Sequence, residues 1–274
     1  MTLVAAIQLN TCADLAQNLA DTRALLGEAA AAGAKLAALP ENFAFMGAHE
    51  ADKLALAEPD GGGPIQDFLA QTARELGIAI VAGTVPVAVP SDAGRVYAAS
   101  LVYSSAGRRI ARYDKIHLFD VDVDRGDRVE RYRESNTIAP GEPAYVVVPT
   151  AVGALGLSVC YDLRFPELYR ALAQRGAELL CIPAAFTDKT GEAHWETLLR
   201  ARAIENQCFV IAPGQCGTHA SGRRTWGHTM IVDAWGAILA QRTDDTPGVV
   251  LADLDFDRLR QVRSTLPALK HRRL

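Results

Sequence analysis

The stretch Gly156-Leu-Ser-Val-Cys160-Tyr-Asp-Leu-Arg164-Phe-Pro-Glu167 places a thiol where an apolar run gives way to a helix start. Leu155, Leu157 and Val159 have the composition of a buried strand, and Pro166 with Glu167 suits a first helical turn. A cysteine on such a corner projects from the end of a sheet, where a backbone N–H can hold a reacting carbonyl oxygen. The alternative is a small buried hydrophobe, the usual fate of a free cysteine, and this segment taken alone leaves that alternative ahead. Two further segments have the same build. In Leu36-Ala-Ala-Leu-Pro-Glu41-Asn-Phe43 and Ala111-Arg-Tyr-Asp-Lys115-Ile-His117-Leu-Phe119, an apolar run delivers a polar side chain at its end. Singly, Glu41 reads as a charged turn and Lys115 as a solvated strand end. Jointly the three make a complete chemical set: a thiol, a carboxylate to take its proton, and an ammonium to stabilise an oxyanion.

The elements needed to bring them together alternate along the whole chain. Strands are expected at Leu3–Leu9, Leu36–Leu39, Ile78–Val89 and Val96–Tyr103, the last turning through Ser105-Ala-Gly107 into Arg109–Tyr113. Later strands are expected at Tyr145–Val148, Leu179–Pro183, Cys208–Ala212 and Val249–Asp253, with a hairpin turning at Trp235-Gly236. Helices are expected at Asp14–Ala32, stopped by Gly33, and at Pro64–Leu76, with proline at the start and Gly77 past the end. Two more are expected, from Pro166 to Arg175-Gly176 and from His194 to Gln207. Leu118–Ser135 breaks the pattern as a charged, aperiodic stretch, which reads as a lid or a disordered loop. Its arginines (Arg125, Arg128, Arg131, Arg133) are interleaved with acids, the pattern of a solvated face. Helices mixed with hairpins favour mixed sheets. So many strands under so few helices imply two sheets packed face to face with helices outside, in one domain spanning residues 1–274.

Composition narrows the class. With 274 residues the chain can bury a substantial core, and 49% hydrophobic with 22% charged residues is ordinary for a soluble protein. A net charge of −4 leaves no electrostatic footprint for nucleic acid or an anionic membrane. No basic leader precedes the first apolar strand and no run is long enough to span a bilayer, so a cytoplasmic protein is expected. The five cysteines, Cys12, Cys160, Cys181, Cys208 and Cys216, form no C-x-x-C pair. Neither a disulfide framework, nor a zinc site, nor a thiol-redox protein is suggested.

Glu41 in Leu-Pro-Glu-Asn, Lys115 in Tyr-Asp-Lys-Ile-His-Leu-Phe-Asp, and Cys160 in Val-Cys-Tyr-Asp-Leu-Arg-Phe-Pro-Glu resemble the Glu-Lys-Cys triad of the nitrilase superfamily of carbon–nitrogen hydrolases. The match covers essentially the whole chain in order. Glu134, in Arg-Glu-Ser-Asn-Thr-Ile-Ala-Pro-Gly, resembles the additional glutamate near that triad. The resemblance implies an α/β fold, a four-layer α-β-β-α sandwich of two mixed β-sheets with helices outside, assembling as a homodimer or larger homo-oligomer.

Motif wording points to the amidase-like branch, because Tyr161-Asp162 follows the cysteine where nitrilases proper carry Trp-Glu. The stretch from His194 to Gln207 is similar in outline to omega-amidases and deaminated-glutathione amidases. The segment from Gln207 through Gly217-Thr-His219 to Trp226-Gly-His228 is more similar to the latter. The departure is the loop wording Thr187-Asp-Lys-Thr190-Gly-Glu192, which loosens the substrate assignment. The implied activity is hydrolysis of a small carboxylated amide, deaminated glutathione foremost, through a thioester. The alternatives are an omega-amidase acting on 2-oxoglutaramate or 2-oxosuccinamate, and a non-catalytic binding protein on the same fold.

In the expected chemistry Glu41 accepts the Cys160 proton, and Lys115 with the Tyr161 N–H holds the oxyanion. Protonated Glu41 then donates to the leaving nitrogen and activates the hydrolytic water. Glu134 orients Lys115 or the leaving nitrogen. No metal or organic cofactor is required. His117, His194 and His228 read as satisfied structural histidines, and Arg202 as an ion pair to Glu205 or across a subunit contact. Arg164, four residues after the thiol, has two readings: a bidentate partner for a substrate carboxylate or a structural pair with a nearby acid. Phe186 and the hydroxyls of Thr187 and Thr190 are expected to complete the substrate contacts.

Overall fold

The computed structural model describes residues 2–124, 126 and 128–273. The first half runs β1 (Thr2–Gln8), α1 (Leu15–Ala31), β2 (Leu36–Ala38), α2 (Pro64–Leu76), β3 (Ala79–Val81), β4 (Val85–Val89), β5 (Asp92–Tyr103), β6 (Arg109–Asp114), β7 (Asp120–Asp124) and β8 (Val129–Arg133). The second half runs β9 (Val147–Thr150), β10 (Gly153–Leu157), α3 (Pro166–Gln174), β11 (Leu179–Cys181), α4 (Asp188–Asn206), β12 (Phe209–Ala212), β13 (Cys216–Thr218), β14 (Arg224–Trp226), β15 (Met230–Val232), β16 (Ile238–Gln241), β17 (Gly248–Leu254) and α5 (Phe256–Thr265).

Two mixed sheets result. One has the order β17-β1-β2-β3-β5-β4 with β6 also on β5, and the other the order β16-β15-β12-β11-β10-β9. The alternation along β1 shows why they stack. Val4 and Ala6 enter one apolar core together with Leu155, Leu157, Leu179 and Ile211 of the second sheet. Ala5 and Ile7 point the other way, into a separate core with Leu26 of α1 and Ile65 and Leu69 of α2. Leu168 and Leu172 of α3 and Trp195 and Leu199 of α4 pack on the second sheet. Both faces of each central strand are therefore buried, which requires near-continuous apolar runs. The order of layers is helices, sheet, sheet, helices, as the α-β-β-α expectation states.

Local chemistry sets the helix ends. Asp14 caps α1 by accepting from the Gln17 N–H. At α2, Pro64 occupies the first turn while the buried Glu58 carboxylate accepts from the N–H groups of Ile65 and Gln66.

Several sequence expectations need correction. Ile78–Val89 is not one strand. It breaks at Gly83, whose φ of +47° turns the chain where a Cβ would overlap the Pro40 carbonyl oxygen. The strand leading to the thiol ends at Leu157, and Cys160 stands three residues on, in a 3₁₀ turn from Cys160 to Arg164. The helix expected from His194 starts at Asp188, so Phe186–Thr190 is not a free loop but the entry and first turn of α4. Gly191 masked that start. It is a poor helix former, yet it is required because a Cβ there would overlap the Trp226 side chain.

Leu118–Ser135 is not structureless either. Most of it is the antiparallel hairpin β7–β8, with Val121 opposite Tyr132 and Asp122 opposite Arg131. Alternating charge concealed a strand pair tied across the hairpin by the Arg133–Asp122 ion pair at 2.7 Å. Arg125, counted among the arginines of this stretch, lies outside the described residues.

Candidate active site

The 3₁₀ turn holding Cys160 is a strained corner. Cys160 has φ +48°, rare for a residue with a Cβ and worth about 1–3 kcal/mol of strain. The surroundings fix it. The Cys160 N–H donates to the Pro183 carbonyl at 2.8 Å. Beneath it the Asp162 carboxylate, fully buried, accepts from the Tyr113 hydroxyl at 2.7 Å, the Val159 N–H at 2.8 Å and His117 Nδ1 at 2.7 Å. Arg202 adds two bonds to the Leu163 carbonyl at 3.1 and 2.8 Å and an ion pair to Glu205 at 2.9 Å. Arg202 thus meets its ion-pair expectation and also clamps the corner.

Asp162 carries the largest structural consequence here. Asp162→Ala leaves several buried donors without an acceptor, which costs about 3 kcal/mol or more. Urea unfolding should show a correspondingly lower midpoint, and the cysteine should lose its fixed position. An unchanged midpoint would contradict the network.

Glu41, Lys115 and Cys160 converge on one floor and are 4%, 1% and 6% exposed. Glu41 follows β2 and Lys115 follows β6, so both leave the first sheet at the rim that faces the Cys160 corner. Lys115 Nζ donates to Glu41 Oε1 at 2.8 Å and to both Glu134 oxygens at 2.8 and 2.9 Å. The second Glu41 oxygen accepts from the Ala185 N–H at 3.0 Å, and the Cys160 thiol lies beside the same carboxylate. Glu134 is held in turn by the Phe119 N–H at 2.6 Å. The Glu41 backbone is pinned by Gln215, which donates to its carbonyl at 3.0 Å.

The electrostatics follow from that contact set. Burial raises the Glu41 carboxyl, but the Lys115 ammonium outweighs it and holds the group below the ordinary carboxylate range. Burial lowers Lys115, and the Glu134 and Glu41 carboxylates reverse this and push it well above the ordinary lysine value. The Cys160 thiol is pushed well up, by burial first and then by the Glu41 charge, with Lys115 opposing. At neutral pH the floor therefore holds a neutral thiol beside an ionised carboxylate. The Tyr161 N–H, next along the 3₁₀ turn, has no protein acceptor among the described residues.

Above the floor opens a cleft that exposes the triad to a small-molecule ligand. Arg164, Phe186, Thr187 and Thr190 all line it, as do Glu134 and Tyr161. Arg164 has no acidic partner among the described residues. Its guanidinium lies over the Tyr161 and Phe186 rings at 5.7 and 5.3 Å, with Nη1 3.2 Å from His194 Nδ1. Thr187 and Thr190 bond each other through their hydroxyls at 2.8 Å. His228 stacks on Trp226 at 4.1 Å.

Arg131 and Arg133, read from the sequence as a solvated face, and Tyr132 and Arg223, given no role there, also line the cleft. The first three belong to β8, and its pairing with β7 sets this stretch, which reads as solvated, along the rim of the cleft. Arg223 lies between β13 and β14, in a turn no chemical motif marks. Among the described residues no group of three or more His, Cys, Asp or Glu side chains could hold a metal ion.

His219 anchors that turn. Its Nδ1–H donates to the Thr11 carbonyl at 2.9 Å, and its Nε2 accepts from the Thr225 hydroxyl at 2.7 Å. Burial pulls this imidazole down to about 4, so the fold binds it neutral while the unfolded chain titrates near 6.5. Its contribution is complete above pH 6.5 and is lost as pH falls towards 4, in total about 3 kcal/mol. Unfolding midpoints should drop across that window, and His219→Asn should flatten the slope. An unchanged slope would refute the assignment.

The model of the carbon–nitrogen hydrolase family matches residues 3–264. The chain belongs to the carbon–nitrogen hydrolase family. As a member of this family it is a hydrolase. It is 45% identical over 271 residues, 98% of this chain and 97% of the relative, to a deaminated glutathione amidase of Synechocystis sp.. Among solved structures, the NitFhit protein of C. elegans superposes with a TM-score of 0.92 at 37% identity. That superposition covers 99% of this chain and 65% of the longer NitFhit chain. An amidase of the nitrilase superfamily from Nesterenkonia sp. AN1, a glutamate-to-glutamine variant bearing acrylamide on its active-site cysteine, superposes with a TM-score of 0.80. It is 28% identical, covering 97% of this chain and 98% of that one.

Proposed function

We propose that the protein is a cysteine amidase that cleaves the C–N bond of a small carboxylated amide, deaminated glutathione first, through a thioester on Cys160. The carrying observation is the buried floor, where Glu41, ion-paired to Lys115 at 2.8 Å, and the Cys160 thiol line one cleft. The substrate class draws on the relatives' names and on the cleft wall. Six cationic side chains and three carboxylates line it, an excess of positive charge in a chain of net charge −4.

Glu41 takes the thiol proton as Sγ attacks the amide carbonyl. The oxyanion is met by the Tyr161 N–H and by Lys115, whose bidentate grip on Glu134 fixes its direction; one such donor is worth about 3–4 kcal/mol. Protonated Glu41 gives its proton to the leaving amine, which departs and leaves the thioester. Water enters, loses a proton to Glu41 and attacks the thioester carbonyl; the C–S bond breaks, Sγ takes the proton back from Glu41, and the acid is released. Glu134 positions Lys115 rather than transferring a proton. Arg164, Phe186, Thr187 and Thr190 bind substrate. In this reading residues 1–274 act as one domain, in a cytoplasmic homodimer or larger homo-oligomer, a setting in keeping with five free cysteines.

The test is turnover of deaminated glutathione, 2-oxoglutaramate and butyramide, with product masses and intact-protein mass spectrometry. Deaminated glutathione should give the highest kcat/KM, with release of 2-oxoglutarate and cysteinylglycine and an acyl adduct on Cys160. A preference for 2-oxoglutaramate would make the protein an omega-amidase. Hydrolysis of butyramide alone would overturn the carboxylate reading.

A further inference from the structure

Glu41 is followed by a residue in an unusual backbone state. Asn42 has φ +58°, in the left-handed region that a residue with a Cβ seldom enters, so its surroundings must hold it there. The peptide group joining Glu41 to Asn42 is gripped at both ends. Its carbonyl accepts from Gln215 Nε2 at 3.0 Å, and its N–H donates to Thr84 Oγ1 at 2.8 Å. One residue further on, the Phe43 carbonyl accepts from the Thr11 hydroxyl at 3.2 Å.

The grip on the carbonyl is built for an amide. Gln215 is 1% exposed, and both polar atoms of its side chain are used. Nε2 also donates to Thr11 Oγ1 at 2.7 Å, and Oε1 accepts from the Thr11 N–H at 3.1 Å. A carboxylate in this place would set an oxygen against the Glu41 carbonyl, and an apolar side chain would leave both ends without a partner. Thr84, also buried, meets the other edge of the same peptide from the segment between β3 and β4. Gln215 and Thr84 both stand outside the lining of the catalytic cleft.

The segment that carries Gln215 also holds the far end of Glu41. Ala184 and Gly214 form a parallel bridge, and the Gln215 N–H donates to the Ala184 carbonyl at 2.9 Å. From the next residue, the Ala185 N–H donates to Glu41 Oε2 at 3.0 Å. Backbone and carboxylate of Glu41 are thus fastened to one pair of segments, with Lys115 on the remaining oxygen. A general base must stand within hydrogen-bond reach of the proton it moves, and about 1 Å of misplacement costs roughly a hundred-fold in rate.

We infer that Gln215 and Thr84 are positioning residues, which clamp the Glu41–Asn42 peptide and so set where the Glu41 carboxylate stands between Lys115 and Cys160. The inference rests on the amidase reading of the site and adds what holds its proton carrier in place. The experiment compares Gln215→Met, Thr84→Val and Thr84→Ser with wild type, each alone and combined with Glu41→Gln, after thermal melting shows which are folded. Turnover is measured on deaminated glutathione. In Gln215→Met kcat should fall at least about thirty-fold and in Thr84→Val at least about ten-fold, with KM changed by less than about three-fold. Thr84→Ser, which keeps the hydroxyl, should restore at least about half of the wild-type kcat.

A second measurement needs no turnover: the pH profile of Cys160 alkylation by iodoacetamide, read by peptide mapping. The charges bearing on the thiol are Glu41, which raises its pKa, and Lys115, which lowers it. A carboxylate that has left its place opposes Lys115 less, so the profile should move to lower pH in Gln215→Met and Thr84→Val. In the Glu41→Gln background neither substitution should move it further. An unchanged kcat and profile in the folded variants, or an equal displacement with and without Glu41, would overturn the clamp. Should Gln215→Met not fold, the contrast between Thr84→Val and Thr84→Ser decides it. If wild type hydrolyses no amide, the amidase reading fails, while the alkylation profiles still decide whether these residues place Glu41.

Discussion

Cys160→Ala should lower amide turnover by at least about 10⁴-fold while leaving the protein folded. The thiol supplies the only bond by which the acyl group can be held once the amine has left, and the remaining donors can stabilise an oxyanion only where a nucleophile creates one. The substitution is structurally mild. Cβ is retained, so the left-handed backbone at φ +48° keeps the strain it already has, and the Cys160 N–H keeps the Pro183 carbonyl. The thermal midpoint should stay within a few degrees. A folded Cys160→Ala protein that still hydrolyses deaminated glutathione at a comparable rate would end the nucleophile assignment.

Glu41→Gln should lower turnover by about 10³-fold or more, because one group serves attack, amine departure and water activation. Its effect on the thiol runs the opposite way. In the wild type the Glu41 charge helps hold the Cys160 pKa up, and Lys115 opposes it. With a neutral amide at position 41 the pull of Lys115 is less opposed, so the thiol pKa falls. Iodoacetamide should then modify the variant with a pH profile displaced to lower pH, although hydrolysis is lost. A base that served merely to deprotonate the thiol would give the reverse profile. Retained hydrolysis, or a profile displaced upward, would show that Glu41 is not the proton carrier.

How much of this was legible in the sequence depended on range. Elements fixed by short-range chemistry were readable: α2 has Pro64 at its first turn and a left-handed Gly77 just past its end, at the predicted bounds Pro64–Leu76. The four-layer order was readable because strands buried on both faces leave near-continuous apolar runs. The grouping of Glu41, Lys115 and Cys160 was readable from their common setting, a polar residue at the end of an apolar run. Gly191 hid the first turn of α4, because its need for close approach to Trp226 exists only once β14 has packed on that helix.

Tertiary structure alone decided the rest. The Arg131-Tyr132-Arg133 stretch carries no period that marks a cleft wall, since inward and outward faces of a paired strand cannot be told apart when both are polar. Asp162 follows the nucleophile by two residues, yet its role depends on Tyr113 and His117, more than forty positions away. Arg223 is the extreme case. Its surroundings are assembled from Ala185, Tyr132 and the turn between β13 and β14. The sequence by itself determined which groups could perform acyl transfer, because that chemistry is a property of residue types. Which charges were neutralised, and which were left open to a substrate, was decided only when distant segments met, because pairing and burial are properties of neighbours in space.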